Sequence, residues 1–325
     1  MNSLALSILV GGLLVQPFPP PAGGFQAADS KSPELVRILG LCAEYCDKLN
    51  GAVLNFICRE KIQETVAELH SSSGSVMVTG GGGSYLVSSR PIMFGKDERQ
   101  KLVYDYQLIH DRDGRLTETR TLLEEKGETV SVPNAPLKTK VFEHKYVVLG
   151  PIGLLGRSQQ ADFDYELVKE TTFRKEPVDV IKAVPKPSNM TNRLFGTIWA
   201  RKSDGGVLKI EWEQTSLGNY QQALEIAKVL GAEPKIELTS EYDFEKNGLR
   251  FPSRYSIKET YRRRGRPSGR RSETIVVYDE YKFFTVETGV TIKESAQRKA
   301  REENILRTDR VFLPPHSHDD SVFER

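Results

Sequence analysis

Val207-Leu208-Lys209-Ile210-Glu211-Trp212 alternates apolar and charged residues, with Leu208, Ile210 and Trp212 on one side and Lys209 and Glu211 on the other. A period of two marks a strand with one buried and one wet face. The pattern extends outward from this segment. Ile236, Leu238, Ser240, Tyr242 and Phe244 share a face opposite Glu237, Thr239, Glu241 and Asp243, and Phe251, Ser253, Tyr255 and Ile257 alternate with Arg250, Pro252, Arg254 and Lys258. One-sided strands belong to antiparallel sheets, because parallel strands covered on both faces read as unbroken apolar runs.

The punctuation agrees. Asp111-Arg112-Asp113-Gly114, Glu125-Lys126-Gly127, Ser203-Asp204-Gly205-Gly206 and Glu245-Lys246-Asn247-Gly248 each separate two strand-like runs. Asp-Gly and Asn-Gly pairs supply the positive φ values that the tight turns of a meander require. Helices are few. Ser32 and Pro33 start one in which Leu35, Ile38, Leu39, Cys42, Tyr45, Cys46 and Leu49 form an apolar stripe, and Asn50-Gly51 is expected to close it. A second is expected over 220–230 before Gly231, a short one after Pro151, and a polar one over 293–304. The expected class is α+β: a strongly curved antiparallel sheet, a half-open barrel, with helices packed on its concave side.

Lys and Arg number 46 against 44 Asp and Glu, a net charge of +2. No strong field therefore steers the chain to nucleic acid, which is not an expected partner. Leu4–Val15 is an apolar run of 12 residues, too short to span a bilayer, and no longer run follows. With the Pro- and Gly-containing stretch behind it, this run reads as a signal peptide over 1–27, so the protein is expected to be periplasmic or secreted. The alternative is an uncleaved anchor. Residues 28–312 are expected to form one domain with long loops at 71–84 and 262–271, and 313–325 a disordered tail.

No catalytic set can be assembled. Gly80–Gly83 lacks the Gly-Lys-Ser/Thr that ends a phosphate loop, Gly156-Arg157-Ser158-Gln159-Gln160 lacks the second glycine of a nucleophile elbow, and no His-Glu-x-x-His occurs. Asp111–Gly114 starts like a calcium loop and stops, and the His316 and His318 pair belongs to a polar tail. No carboxylate stands alone in an apolar run. The chain is read as no enzyme, with no cofactor and no metal.

Three features remain. Phe195, Trp199, Leu208, Ile210, Trp212, Tyr242, Phe244, Phe251 and Tyr255 lie on the apolar sides of the strands. They either fill the core or line a cavity that the helices leave unplugged. Arg262, Arg263, Arg264, Arg266, Arg270 and Arg271 crowd into ten residues. They either hold an anionic headgroup or partner, since guanidinium binds oxyanions bidentately, or simply solvate a loop. Of the cysteines, Cys42 and Cys46 sit four apart on one helix, too far apart at Cβ to bridge well. Cys46–Cys58 is the favoured disulfide, with Cys42 free; the alternative is three reduced, buried thiols.

Phe56-Ile57-Cys58-Arg59-Glu60-Lys61-Ile62 after a long helix, Gly196-Thr197-Ile198-Trp199-Ala200 followed by 206–211, and Asn247-Gly248-Leu249-Arg250-Phe251-Pro252-Ser253 resemble the corresponding segments of the lipoprotein-carrier-like (LolA/LolB-like) superfamily, most of all its secreted bacterial members of uncharacterised role. The resemblance spans about 33–290. It implies a half-open barrel with a helical lid over a cavity for acyl chains. The implied function is non-catalytic binding of a lipid or other hydrophobic ligand, with an envelope interaction or stress-sensor module as the alternative. The carriers' functional arginine has no counterpart that can be placed here.

Overall fold

The computed structural model describes residues 32–53, 56–71, 74–80, 83–89, 92–110, 113, 115–189, 193–263 and 269–284. The expected signal peptide, the polar helix over 293–304, the tail over 313–325, and Arg264 and Arg266 lie outside these residues.

Helix α1 (Pro33–Ala52) opens on Ser32, whose hydroxyl accepts from the Leu35 N–H at 3.2 Å, with Pro33 at the first turn. Its stripe Leu35, Ile38, Leu39, Cys42, Tyr45, Cys46 and Leu49 is buried as expected. Asn50-Gly51 does not end it. The helix runs on to Ala52, and the Val53 N–H closes the last turn on the Leu49 carbonyl at 3.1 Å.

The strands follow as β1 (Phe56–Ser71), β2 (Gly74–Gly80), β3 (Gly83–Ser89), β4 (Ile92–His110), β5 (Leu116–Glu125) and β6 (Glu128–Val132). Then come α2 (Gly150–Leu155), β7 (Phe163–Phe173), β8 (Glu176–Pro185), β9 (Gly196–Arg201), β10 (Val207–Trp212), α3 (Tyr220–Leu230) and β11 (Glu233–Glu241). The last are β12 (Phe244–Lys246), β13 (Leu249–Phe251), β14 (Arg254–Arg262) and β15 (Gly269–Phe283). Eleven of them form one antiparallel sheet in the order β6-β5-β4-β1-β15-β14-β11-β10-β9-β8-β7, which does not close. The four turns expected from sequence all join neighbouring antiparallel strands.

Laid flat, eleven strands about 4.8 Å apart would spread over roughly 48 Å. One continuous core nevertheless collects Leu122 of β5, Ile257 of β14, Ile181 of β8 and the whole stripe of α1. The sheet therefore curls around the helix, aided by bulges in β1, β10 and β14. This is the expected open barrel with helices on the concave side. The β9–β10 turn presses on α1 so closely that a Cβ on Gly205 would lie 2.6 Å from backbone atoms of Leu41 and Cys42.

The two expected loops overlap described strands. Of 71–84, residues 74–80 are β2 and 83–84 open β3, and these two strands pair antiparallel between β1 and β4. Of the second expected loop, 262–271, Arg262 ends β14 and residues 269–271 open β15, while 264–268 lie outside the described residues.

Candidate functional site

Between β6 and α2 the chain runs without regular structure from 133 to 146, and this strap crosses the concave face. It is fastened strand by strand. The Ala135 N–H bonds the Arg120 carbonyl of β5 at 2.9 Å, the Lys138 N–H the Tyr104 hydroxyl of β4 at 3.3 Å, and the Lys140 N–H the Glu64 carboxylate of β1 at 2.9 Å. Further on, the Tyr242 hydroxyl donates to the Val147 carbonyl at 2.9 Å.

The fastening depends on acidic residues of β1 that point inward. Period two places Phe56, Cys58, Glu60, Ile62 and Glu64 on one face, and all five are buried. Glu60 accepts from Arg120 Nε at 2.7 Å and Nη2 at 3.2 Å, and from His144 Nε2 of the strap at 2.9 Å. Arg120 also reaches Glu118 at 3.0 Å and lies 5.0 Å from the centre of the Tyr106 ring. Burial pushes the Glu60 carboxyl upward, but His144 and then Arg120 outweigh it and hold the group at about 2. The acid is therefore ionised, and it is satisfied by three charge-assisted bonds.

On the other side of His144 the strap stands off the sheet. A half-enclosed cavity of about 380 Å³ opens there, walled by Phe142 and His144 of the strap, by Trp212, Leu238, Tyr255 and Ile257 of β10, β11 and β14, and by Leu217 beyond β10. Its lining is mainly apolar. A second hollow of about 400 Å³ continues it past Tyr146, Leu149, Leu154 and Phe163, sharing Trp212 and Leu194 with the first. Gly150 lies at the junction. A Cβ there would come within 2.6 Å of the Tyr242 hydroxyl and 3.1 Å of Trp212, so only glycine lets the chain pass. Leu194 and Tyr146 form part of the walls while 45% and 38% exposed, an apolar mouth.

Inside, Trp212 Nε1 donates to the Ser240 hydroxyl at 2.9 Å, and the His144 ring lies 5.2 Å from that of Tyr255. His144 Nδ1 is buried with no hydrogen-bond partner.

The residues singled out in the sequence divide. Trp212 and Tyr255 line the cavity, with Ile210 and Tyr242 buried behind them and Phe195 half-buried against the same core. Phe244 and Phe251 belong instead to a ring cluster with Phe56, Tyr281 and Phe283. Leu208 and Trp199 face the other side of the sheet, against Val178, Val180 and Phe173. Trp199 alternates with Ile198 and Ala200, which face inside, and for Leu208 the bulge after Val207 is the reason: it puts Val207 and Ile210 inside and turns Leu208 outward, out of the alternation read from sequence.

The arginines are not a free basic projection as far as they are described. Arg270 pairs with Asp97 at 2.6 Å and Glu273 at 2.9 Å, and Arg271 with Glu259 at 3.0 Å. Arg262 lies across from Glu233 in the β11–β14 register, and Arg263 follows it at the end of the strand.

The Cys46–Cys58 bridge is not formed; all three cysteines are free and buried. Cys46 turns its thiol to the Pro151 carbonyl at 3.5 Å, while Cys58 faces Tyr281. Burial pushes the Cys42 thiol up to about 12 and the other two higher still, which favours the uncharged thiol.

Glu60, Glu64, Arg120 and His144 went unnoticed in the sequence. The alternation that placed Phe56, Cys58 and Ile62 inside also placed the two acids there, and that was the legible signal. Among the described residues no cluster of three or more His, Cys, Asp or Glu is placed to hold a metal ion, and no helix is long and apolar enough to cross a membrane.

No protein-family model matches the chain, and no curated protein matches it. Solved structures do. A DUF1329 family protein from Desulfovibrio piger aligns over 79% of this chain and 94% of its own at 10% identity and a TM-score of 0.34. A LolA superfamily protein from Nitrosomonas europaea aligns over 79% and 98% at 12% identity and a TM-score of 0.31. A domain assigned to outer membrane lipoprotein sorting from Vibrio parahaemolyticus aligns over 83% and 97% at 10% identity and a TM-score of 0.32.

Proposed function

We propose that this chain is a non-catalytic binding protein for a lipid or another hydrophobic ligand, held between the concave sheet and the strap. It works in the periplasm or outside the cell, as one domain over 28–312 behind a signal peptide over 1–27 and ahead of a tail over 313–325. The observation that carries the reading is the half-enclosed cavity of about 380 Å³, within the size range of small-ligand sites, whose walls are mainly apolar. A fully plugged barrel would have no such space. The strap creates it, because the same backbone that is tied down over β1, β4 and β5 is lifted off β10, β11 and β14.

A delipidated preparation titrated with an environment-sensitive apolar dye tests this. Saturable one-to-one binding is expected, abolished by Leu238→Trp, which fills the cavity from β11. Dye binding that does not saturate, or that Leu238→Trp leaves intact, overturns the reading. The rival reading, an envelope interaction module, would use the open sheet edges β6 and β7. Edge strand β7 carries Asp164, Glu166, Lys169 and Glu170, a charge pattern that discourages strand addition.

A further inference from the structure

Accepting that hydrophobic reading, the two hollows also say how many chains the ligand carries. Both have mainly apolar walls, and they are alike in size, about 380 and 400 Å³. Five residues belong to both walls: Lys145, Tyr146, Gly150, Leu194 and Trp212. Of these, Gly150 and Trp212 are half-buried, while Lys145, Tyr146 and Leu194 are exposed. The place where the hollows meet is therefore also where they reach water. Away from it, one hollow extends to the buried Leu238 and Ile257 and the other to the buried Leu154 and Phe163. At the rim Lys145 pairs with Glu143 at 2.9 Å and Arg193 with Asp162 at 2.7 Å, so each cation stands beside its own carboxylate.

A single chain threaded from one hollow into the other would leave its middle in water at that junction, where apolar surface is unfavourable. A ligand with two chains has its polar linkage there instead. We propose that this site takes an amphiphile with two apolar chains, one in each hollow, which part at Trp212 and share a head at the rim formed by Lys145, Tyr146 and Leu194. At roughly 30 Å³ for each water-sized group, either hollow holds on the order of a dozen chain atoms. Because the rim charges are already paired, the head stays in water and the chains carry the selection.

Three probes with one phosphocholine head separate the possibilities, used with the delipidated full chain below the concentrations at which they form micelles. One carries two ten-carbon chains, one a single ten-carbon chain, and one a single 20-carbon chain. The first and third are alike in chain carbon and differ in branching. By tryptophan fluorescence the two-chain probe is expected to bind about tenfold more tightly than the 20-carbon probe, the effect of about two methylenes that a threaded chain leaves in water. Methyl spectra of the unmutated protein then locate the chains and need no variant. The two-chain probe should shift the resonances of Leu238 and Ile257 together with those of Leu149 and Leu154, and the single ten-carbon chain only one of these sets. A 20-carbon probe that binds as tightly as the two-chain probe overturns the fork in favour of one threaded chain. Shifts that the two-chain probe confines to one set overturn the second chain but leave the hydrophobic site standing. Binding by none of the three overturns the hydrophobic reading, and this proposal with it.

Discussion

The concave face is two different surfaces joined at His144. Over β5, β4 and β1 it is polar and closed: Glu60, Glu64 and Arg120 are buried and bonded, and the strap backbone is tied to each strand in turn. Over β14, β11 and β10 it is apolar and open, and the strap spans a cavity. Directed bonds hold an irregular segment at a fixed distance, while apolar surface alone only favours its coming closer. The polar half thus acts as the hinge post and the apolar half as the room it props open.

The sharpest way to break this division is to remove the post. Glu60→Ala leaves Arg120 buried without its bidentate partner, and chemical denaturation should show a loss of about 3–5 kcal/mol, the usual cost of breaking a buried pair. A loss below about 1 kcal/mol would mean that the strap is held by packing.

Acid should act on the same half. Glu60 titrates at about 2 in the folded chain against an ordinary 4.5. Between those values the unfolded chain binds the extra proton. Stability is therefore fully present above about pH 4.5 and falls as pH drops through that window, by on the order of 3 kcal/mol. Thermal melts from pH 6 to 2.5 check this, and Glu60→Gln should flatten that part of the profile.

On the open half single bonds count for less. Tyr242→Phe removes the hydroxyl from the Val147 carbonyl and should cost about 1 kcal/mol while loosening the strap next to the cavity, visible as faster amide exchange at 147–149. A cost equal to that of Glu60→Ala would erase the distinction between the halves.

The smallest effect belongs to the cysteines of α1 and β1. Thiol counting on the unfolded, non-reduced chain should give three, and added reductant should leave the melting temperature unchanged. A count of one would restore a bridge.

Much of this was legible in the residues. The alternation at 236–242 and 251–257, the Asn247-Gly248 turn and the α1 stripe are local patterns, and the structure reproduces them because period and turn geometry are properties of short segments. Leu208 shows where this stops. One extra residue in a bulge reversed its direction, and nothing in 207–212 marks the bulge. The arginines show the same limit from the side of charge, since Arg270 meets Asp97, 173 residues away in the chain.

The sequence by itself determined the architecture: an antiparallel sheet, one-sided, with a capped helix to cover it. Each of those features is set by neighbours a few residues apart. Only the tertiary structure decided that residues 133–146 become a strap rather than a loose Pro/Asn loop, that Glu60 holds it, and that a cavity remains beyond His144. Those outcomes join β1, β5 and a segment with no periodicity of its own. Burial and empty volume exist only once distant parts of the chain have met.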